Sequence, residues 1–226
     1  MAKWSTRRSS GCAAAWLAIG LAAAAAHAVE TDPPYLTEAQ QMATLPPSAI
    51  LEVSLVADID ADGHADTAIL GGTPEQRRLV VWFGREGGHE SPVAAPLGAP
   101  NSNTGASLDT DRGELVVLDA TGGDVETRTI YRFRRDQVVA GMRLISIETE
   151  RYRGRDAIRM AWNLLSGAHE FVRGELLDSA DGEERIPRYT TPHRSQRESP
   201  PVAMASTPLP DVLLDAELRA SAVGRD

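Results

Sequence analysis

Four aspartates in the run Asp58-Ile59-Asp60-Ala61-Asp62-Gly63-His64-Ala65-Asp66 stand at positions 1, 3, 5 and 9, with glycine at position 6. That spacing suits a hard divalent cation, because alternate side chains of a tight loop converge on one point and glycine takes the sharp turn. Calcium is the occupant this donor set favours. The backbone carbonyl of His64, at position 7, would add a further oxygen, so Asp58, Asp60, Asp62, His64 and Asp66 form the expected ligand set. Four carboxylates this close repel one another, so cation binding and loop shape should be coupled. A hydrophilic hairpin turn would also use Asp and Gly, but it would not require this register. A transition metal fits less well, since imidazole or thiolate ligands are wanting apart from His64.

Catalytic patterns are weaker. The chain has no Gly-x-Ser-x-Gly elbow, and His89-Glu90 and His169-Glu170 each lack the second histidine of a zinc helix. The only cysteine is Cys12. An Asp-x-Asp pair can hold a nucleotide-sugar's metal, but no βαβ pattern or phosphate loop accompanies this one. Glu148, Glu150 and Asp156 could supply a carboxylate pair for glycoside hydrolysis, a device recognised by separation in space. The expectation is a non-catalytic module, with a small extracytoplasmic hydrolase as the alternative. His89, His169 and His193 read as surface or edge residues, Trp82 and Trp162 as packing, and the arginines receive no role.

Thr37-x-x-Gln40 reads as a capping box that opens a short helix before Pro46-Pro47. From Ile50 onward the pattern is that of strands. Leu51, Val53 and Leu55 alternate, and further apolar runs cover 67–70, 78–83, 114–119, 128–134, 143–150 and 158–162, separated by Gly, Asp and Asn. Asn163-Leu164-Leu165-Ser166-Gly167 reads as a hairpin turn. The fold class expected is mainly β, an antiparallel meander or sandwich-like sheet, with the calcium-binding domain spanning 29–186. Beyond it, 187–226 is rich in Pro, Ser, Thr and Arg and reads as a disordered tail. Asp211 could cap a short terminal helix with Leu214 and Leu218 on one face.

The Asp loop is not an EF-hand, because position 12 is Ile69 and the flanks read as strands. With Ala68-Ile69-Leu70-Gly71-Gly72 and Leu79-Val80-Val81-Trp82-Phe83-Gly84 behind it, it resembles the FG-GAP repeat of integrin-type β-propellers, in single copy. The resemblance implies calcium held in a β-hairpin loop by Asp58, Asp60, Asp62 and Asp66. A single loop of full spacing does not make a complete propeller. More of the chain, including Tyr131-Arg132-Phe133-Arg134 and Arg143-Leu144-Ile145, is similar to small exported bacterial proteins of unknown function.

Residues 1–28 read as a signal peptide. Lys3, Arg7 and Arg8 precede an apolar run, which is shorter than the roughly 20 residues that span a bilayer, and Ala26-His27-Ala28 offers a small-x-small cleavage site. The protein is expected to be periplasmic or secreted, with no transmembrane segment after cleavage. The net charge of −9 becomes three units more negative without the leader, which argues against nucleic acid as a partner. The partner expected is an envelope protein or glycan. Mass spectrometry of the exported protein should find Val29 at its N-terminus, and retention of Met1 would refute cleavage.

Overall fold

Two antiparallel sheets and a short hairpin carry the chain. The computed structural model describes residues 36–98, 105–178 and 185–223, so the expected signal peptide lies outside the described residues. After α1 (Glu38–Met42), the smaller sheet is formed by β1 (Ile50–Ala57), β2 (Asp66–Gly72), β3 (Arg77–Trp82) and, beyond the hairpin of β4 (Gly84–Arg85) and β5 (Gly88–His89), β6 (Val93–Leu97). Its order is β1-β2-β3-β6. The larger sheet is a meander of β7 (Gly105–Asp111), β8 (Glu114–Thr121), β9 (Val125–Asp136), β10 (Gly141–Arg153), β11 (Asp156–Asn163), β12 (Ala168–Asp178) and β13 (Arg185–Tyr189). The mainly β antiparallel class expected from the sequence is therefore the one observed.

Alternation along the strands decides which side chain meets which layer. In β2 and β3, Ala68, Leu70, Leu79 and Val81 enter the main core with Leu115, Val117, Tyr131, Phe133, Leu144, Ile147 and Met160 of the larger sheet. Their alternates Ile69, Val80 and Trp82 pack on the opposite face against Leu45, Ala49 and Met42. Both faces of β2 are thus covered, which explains its continuous apolar reading. Thr37 and Gln40 form the capping box of α1, and the helix ends before the two prolines.

One buried charge ties the sheets together. Arg77 of β3 has a fully buried side chain, and its guanidinium takes both oxygens of Glu52 at 2.8 and 2.6 Å and Asp119 of β8 at 2.5 Å. Glu52 is the residue without a partner at the bulge of β1. Burial works against the charge of Arg77, but the hydrogen bonds and attraction of Glu52 and Asp119 raise its pKa. Burial pushes the Asp119 carboxyl up, partly offset by Arg77.

The expected boundary at 186 and the disordered tail beyond it are corrected. β13 and β14 (His193–Gln196) pair with successive stretches of β12, and β15 (Val202–Ala203) pairs with β10. A 3-10 turn (Met204–Ser206) then leads into α2 (Pro210–Val223), and Met204 and Leu214 join the main core. The prolines are compatible with this order. Pro187 lies in a strand at the end of the sheet order, and Pro210 is the first helical residue, where no amide donor is needed. No helix among the described residues is long and apolar enough to cross a membrane.

His169 is also corrected. It is not at the surface: its side chain is fully buried, with Nδ1 3.2 Å from Ser195 Oγ and Nε2 3.5 Å from Glu217 of α2, which Arg197 clasps through both oxygens. Burial and the Arg197 charge lower the His169 pKa against the opposing pull of Glu217.

Leu214→Ala should lower the unfolding free energy by about 2–5 kcal/mol in urea titrations, whereas a disordered tail would leave it unchanged. Because the folded pKa of His169 lies below its ordinary value of 6.5, the unfolded chain binds the proton first. Its contribution to stability is complete above pH 6.5 and is lost as pH falls toward the depressed value. His169→Asn should flatten the stability profile in that window, as measured by thermal melts across pH.

Candidate metal centre

Residues 58–65 form the loop between β1 and β2, and Asp66 is the first residue of β2. Asp66 is fully buried and organises the turn from below. Its Oδ2 accepts the amides of Ile59 at 2.8 Å and Asp60 at 3.3 Å, while Oδ1 accepts that of Gly84 at 2.8 Å. The same carboxylate therefore bends the loop and fastens it to the corner after β3. Gly84 is required there, because a Cβ would come within 2.2 Å of the Ala65 carbonyl oxygen. Ile59 is swallowed by the main core, which fixes the loop on its inner side.

Asp58 shapes the upper half, accepting the amides of Asp62 and Gly63, each at 3.0 Å. Gly63 has φ +91°, in the left-handed region glycine enters without strain, and Ala61 also lies there at φ +61°. Asp58, Asp60 and Asp66 each place a carboxylate oxygen within 4.8 Å of the others. A calcium ion, bound at about 2.3–2.6 Å per oxygen, bridges oxygens at that separation.

Asp60 stands apart in one respect. Its side chain is 5 % exposed, and although Oδ2 lies 3.2 Å from Arg85, Oδ1 is buried with no hydrogen-bond partner. A buried carboxylate oxygen without a donor is costly, and a cation would satisfy it.

The remaining two expected ligands sit differently. Asp62 turns toward Arg85 of β4 and accepts the amide of His64 at 2.9 Å. Burial opposes its ionisation, but the His64 amide and the charges of Arg85 and His64 hold its pKa below the ordinary value. His64 itself is exposed. Asp66 departs in the other direction: burial pushes its pKa up, the Gly84 and Ile59 amides pull it down, and the charge of Asp60 adds to the rise.

Arg85 was not picked out from the sequence, where every basic residue after Lys3 is arginine and none stands out. It touches Asp60 and Asp62 and pairs with Glu90 at 2.9 Å, and Glu90 also receives Arg135 at 2.7 Å. Arg135 in turn lies over the Phe83 ring, 3.8 Å from its centroid. Its one sequence signal is position, directly after Phe83-Gly84.

Glu148, Glu150 and Asp156 are not brought to one place. Glu148 and Glu150 alternate onto one face of β10, where Glu150 accepts the Tyr152 hydroxyl at 2.8 Å. Asp156 pairs with Arg153 in register, which puts it on the opposite face. Comparison with known proteins adds no relative: no family model, curated protein or solved structure matches the chain.

Arg85 supplies the positive charge nearest the acidic loop. Arg85→Gln should leave Asp60 and Asp62 repelling each other, lowering metal-free stability by up to about 1 kcal/mol, given the partial exposure of these pairs. The same change should raise calcium affinity several-fold in titration calorimetry. A fall in affinity would show that Arg85 helps to build the site.

Proposed function

We infer that this chain is an exported β module, stabilised by calcium at the Asp loop and acting in the cell envelope by binding a protein or glycan. The observation that carries the cation is the buried, donorless Oδ1 of Asp60, facing a cluster whose other two carboxylates are already oriented by backbone amides. Asp58 and Asp66 spend part of their capacity on the loop, while Asp60 keeps one oxygen in reserve. Oxygen-only donors select a hard cation, and a loop of irregular geometry favours calcium over the tighter octahedron of magnesium. The role is structural because the loop joins two strands of the smaller sheet, with Asp66 linking it to the corner after β3. Export rests on the three-part leader, and the excess of acid is compatible with an envelope rather than a nucleic-acid partner.

Calcium at about 100 times its dissociation constant should stabilise the protein by about 2.7 kcal/mol, a melting shift of several degrees for a domain of this size. Asp60→Ala should abolish that shift, and magnesium should reproduce it poorly. Scanning calorimetry in calcium and in chelator measures both. An equal shift in the Asp60→Ala protein would remove the loop from the account, and no shift in the unaltered protein would remove calcium.

A further inference from the structure

A second site lies away from the Asp loop, at the end of the larger sheet where α2 crosses it. A cavity of about 570 Å³ opens there, within the range of small-ligand sites. Its floor is set by strand register. Arg151, Ile158 and Arg173 lie side by side across β10, β11 and β12, and the next row on the same face is Arg153, Asp156, Glu175 and Arg188. Ile158 belongs to the main core, so both rows lie on the inner face of the sheet, the first beside α2 and the second exposed at the sheet's end. Leu218 of α2 supplies an apolar wall.

The charges in this cavity are only partly used. Arg151 is held by Asp211 at 3.3 Å and Asp215 at 2.9 Å, which fixes the helix to the sheet. Arg173 donates one Nη2 bond to Ser221 at 2.6 Å, but its Nε is buried with no acceptor. Among the described residues, Arg153 and Arg188 have neither an ion pair nor a hydrogen bond from their side chains. Asp156 and Glu175 stand directly opposite each other between these two arginines, an arrangement that costs energy unless something intervenes. A larger depression, about 730 Å³, lies on the other face of the same strands. Its arginines are satisfied, Arg132 by Asp111 and Glu114 and Arg194 by Glu170.

We propose that the 570 Å³ cavity binds an acidic sugar, a small polyhydroxylated compound bearing a carboxylate or phosphate. The arginines supply planar donor forks for the oxyanion. Asp156 and Glu175, which accept and do not donate when ionised, receive hydroxyl groups, and a ligand between them relieves their repulsion. A simple anion would use the arginines and be repelled by the two carboxylates. A neutral sugar would use the carboxylates and leave the Arg173 Nε unmet. A ligand carrying both kinds of group uses the whole site. The proposal gives the inferred binding module a ligand class but does not depend on calcium, since no residue is shared with the Asp loop.

The test is titration calorimetry of the full exported chain with glucuronate, glucose 6-phosphate, glucose and inorganic phosphate, each in calcium and in chelator. Saturable binding of glucuronate or glucose 6-phosphate, at least ten-fold tighter than glucose or phosphate, is expected, and the better of the two tells whether the site takes a carboxylate or a phosphate. Arg188→Gln and Glu175→Gln, both at exposed positions, should each weaken it at least ten-fold without lowering the melting temperature. No saturable binding in calcium overturns the proposal, as do equal affinities for glucose and the acidic sugars or for phosphate and the sugar phosphate. Binding indifferent to both variants would also overturn it. Retention of sugar binding where calcium produces no stabilisation would defeat the metal reading alone.

Discussion

The carboxylate of Asp66 is the constraint on which the smaller sheet and its loop depend. It is wholly buried, yet three backbone amides converge on it, from Ile59, Asp60 and Gly84. Those bonds do three things at once. They close the β1–β2 connection, they bring the loop against the corner after β3, and they hold Asp60 beside Asp66. The arrangement concentrates negative charge at the point where the chain turns. Burial, and after it the neighbouring Asp60 charge, raise the Asp66 pKa against the pull of the Gly84 and Ile59 amides.

The sheets are joined by a different solution to the same problem of buried charge. Arg77 is neutralised from both sides, by Glu52 of its own sheet and Asp119 of the other, so the link is specific in position as well as sign. Such a bridge adds little against a well-packed apolar replacement, but leaving either carboxylate without Arg77 would be strongly destabilising. The C-terminal segment closes the larger sheet in a similar style. Leu214 and Met204 supply the apolar contact, while Arg151, Arg197, Glu217 and His169 fix where the helix lies. The cavity beside α2 is a consequence of that placement, because the helix covers the inner face of β10 to β12 without filling its end.

How much of this could be read in the chain follows from the length over which each signal is written. The Asp loop is entirely local, so its register was legible, as were the alternating residues of β1, the apolar runs of β3 and β9 and the capping box of α1. The strand at 168–178 was not, because His169, Arg173 and Glu175 break the apolar pattern. The partners that His169 and Arg173 find lie far along the chain, at Glu217 and Ser221. The terminal helix with Leu214 and Leu218 on one face is present, but the expectation of a disordered tail before it failed for the same reason. Its prolines and arginines suggest disorder when read locally, yet Pro187 sits at the end of the sheet order and Arg197 finds Glu217. Arg77 and Arg85 were invisible among arginines of uniform type, since what distinguishes them is burial in one case and proximity to Asp60 and Asp62 in the other. Nothing in the spacing alone separated Asp62, which turns to Arg85, from Asp60, which keeps an oxygen free.

The central claim is that the free oxygen of Asp60 exists for a cation. A crystal structure of the protein grown with calcium tests it most directly, using the anomalous signal of the ion. The account predicts one ion among Asp58, Asp60 and Asp66, with Asp60 Oδ1 about 2.3–2.6 Å away. A loop without an ion at saturating calcium, with Asp60 Oδ1 bonded instead to a protein donor, would contradict it.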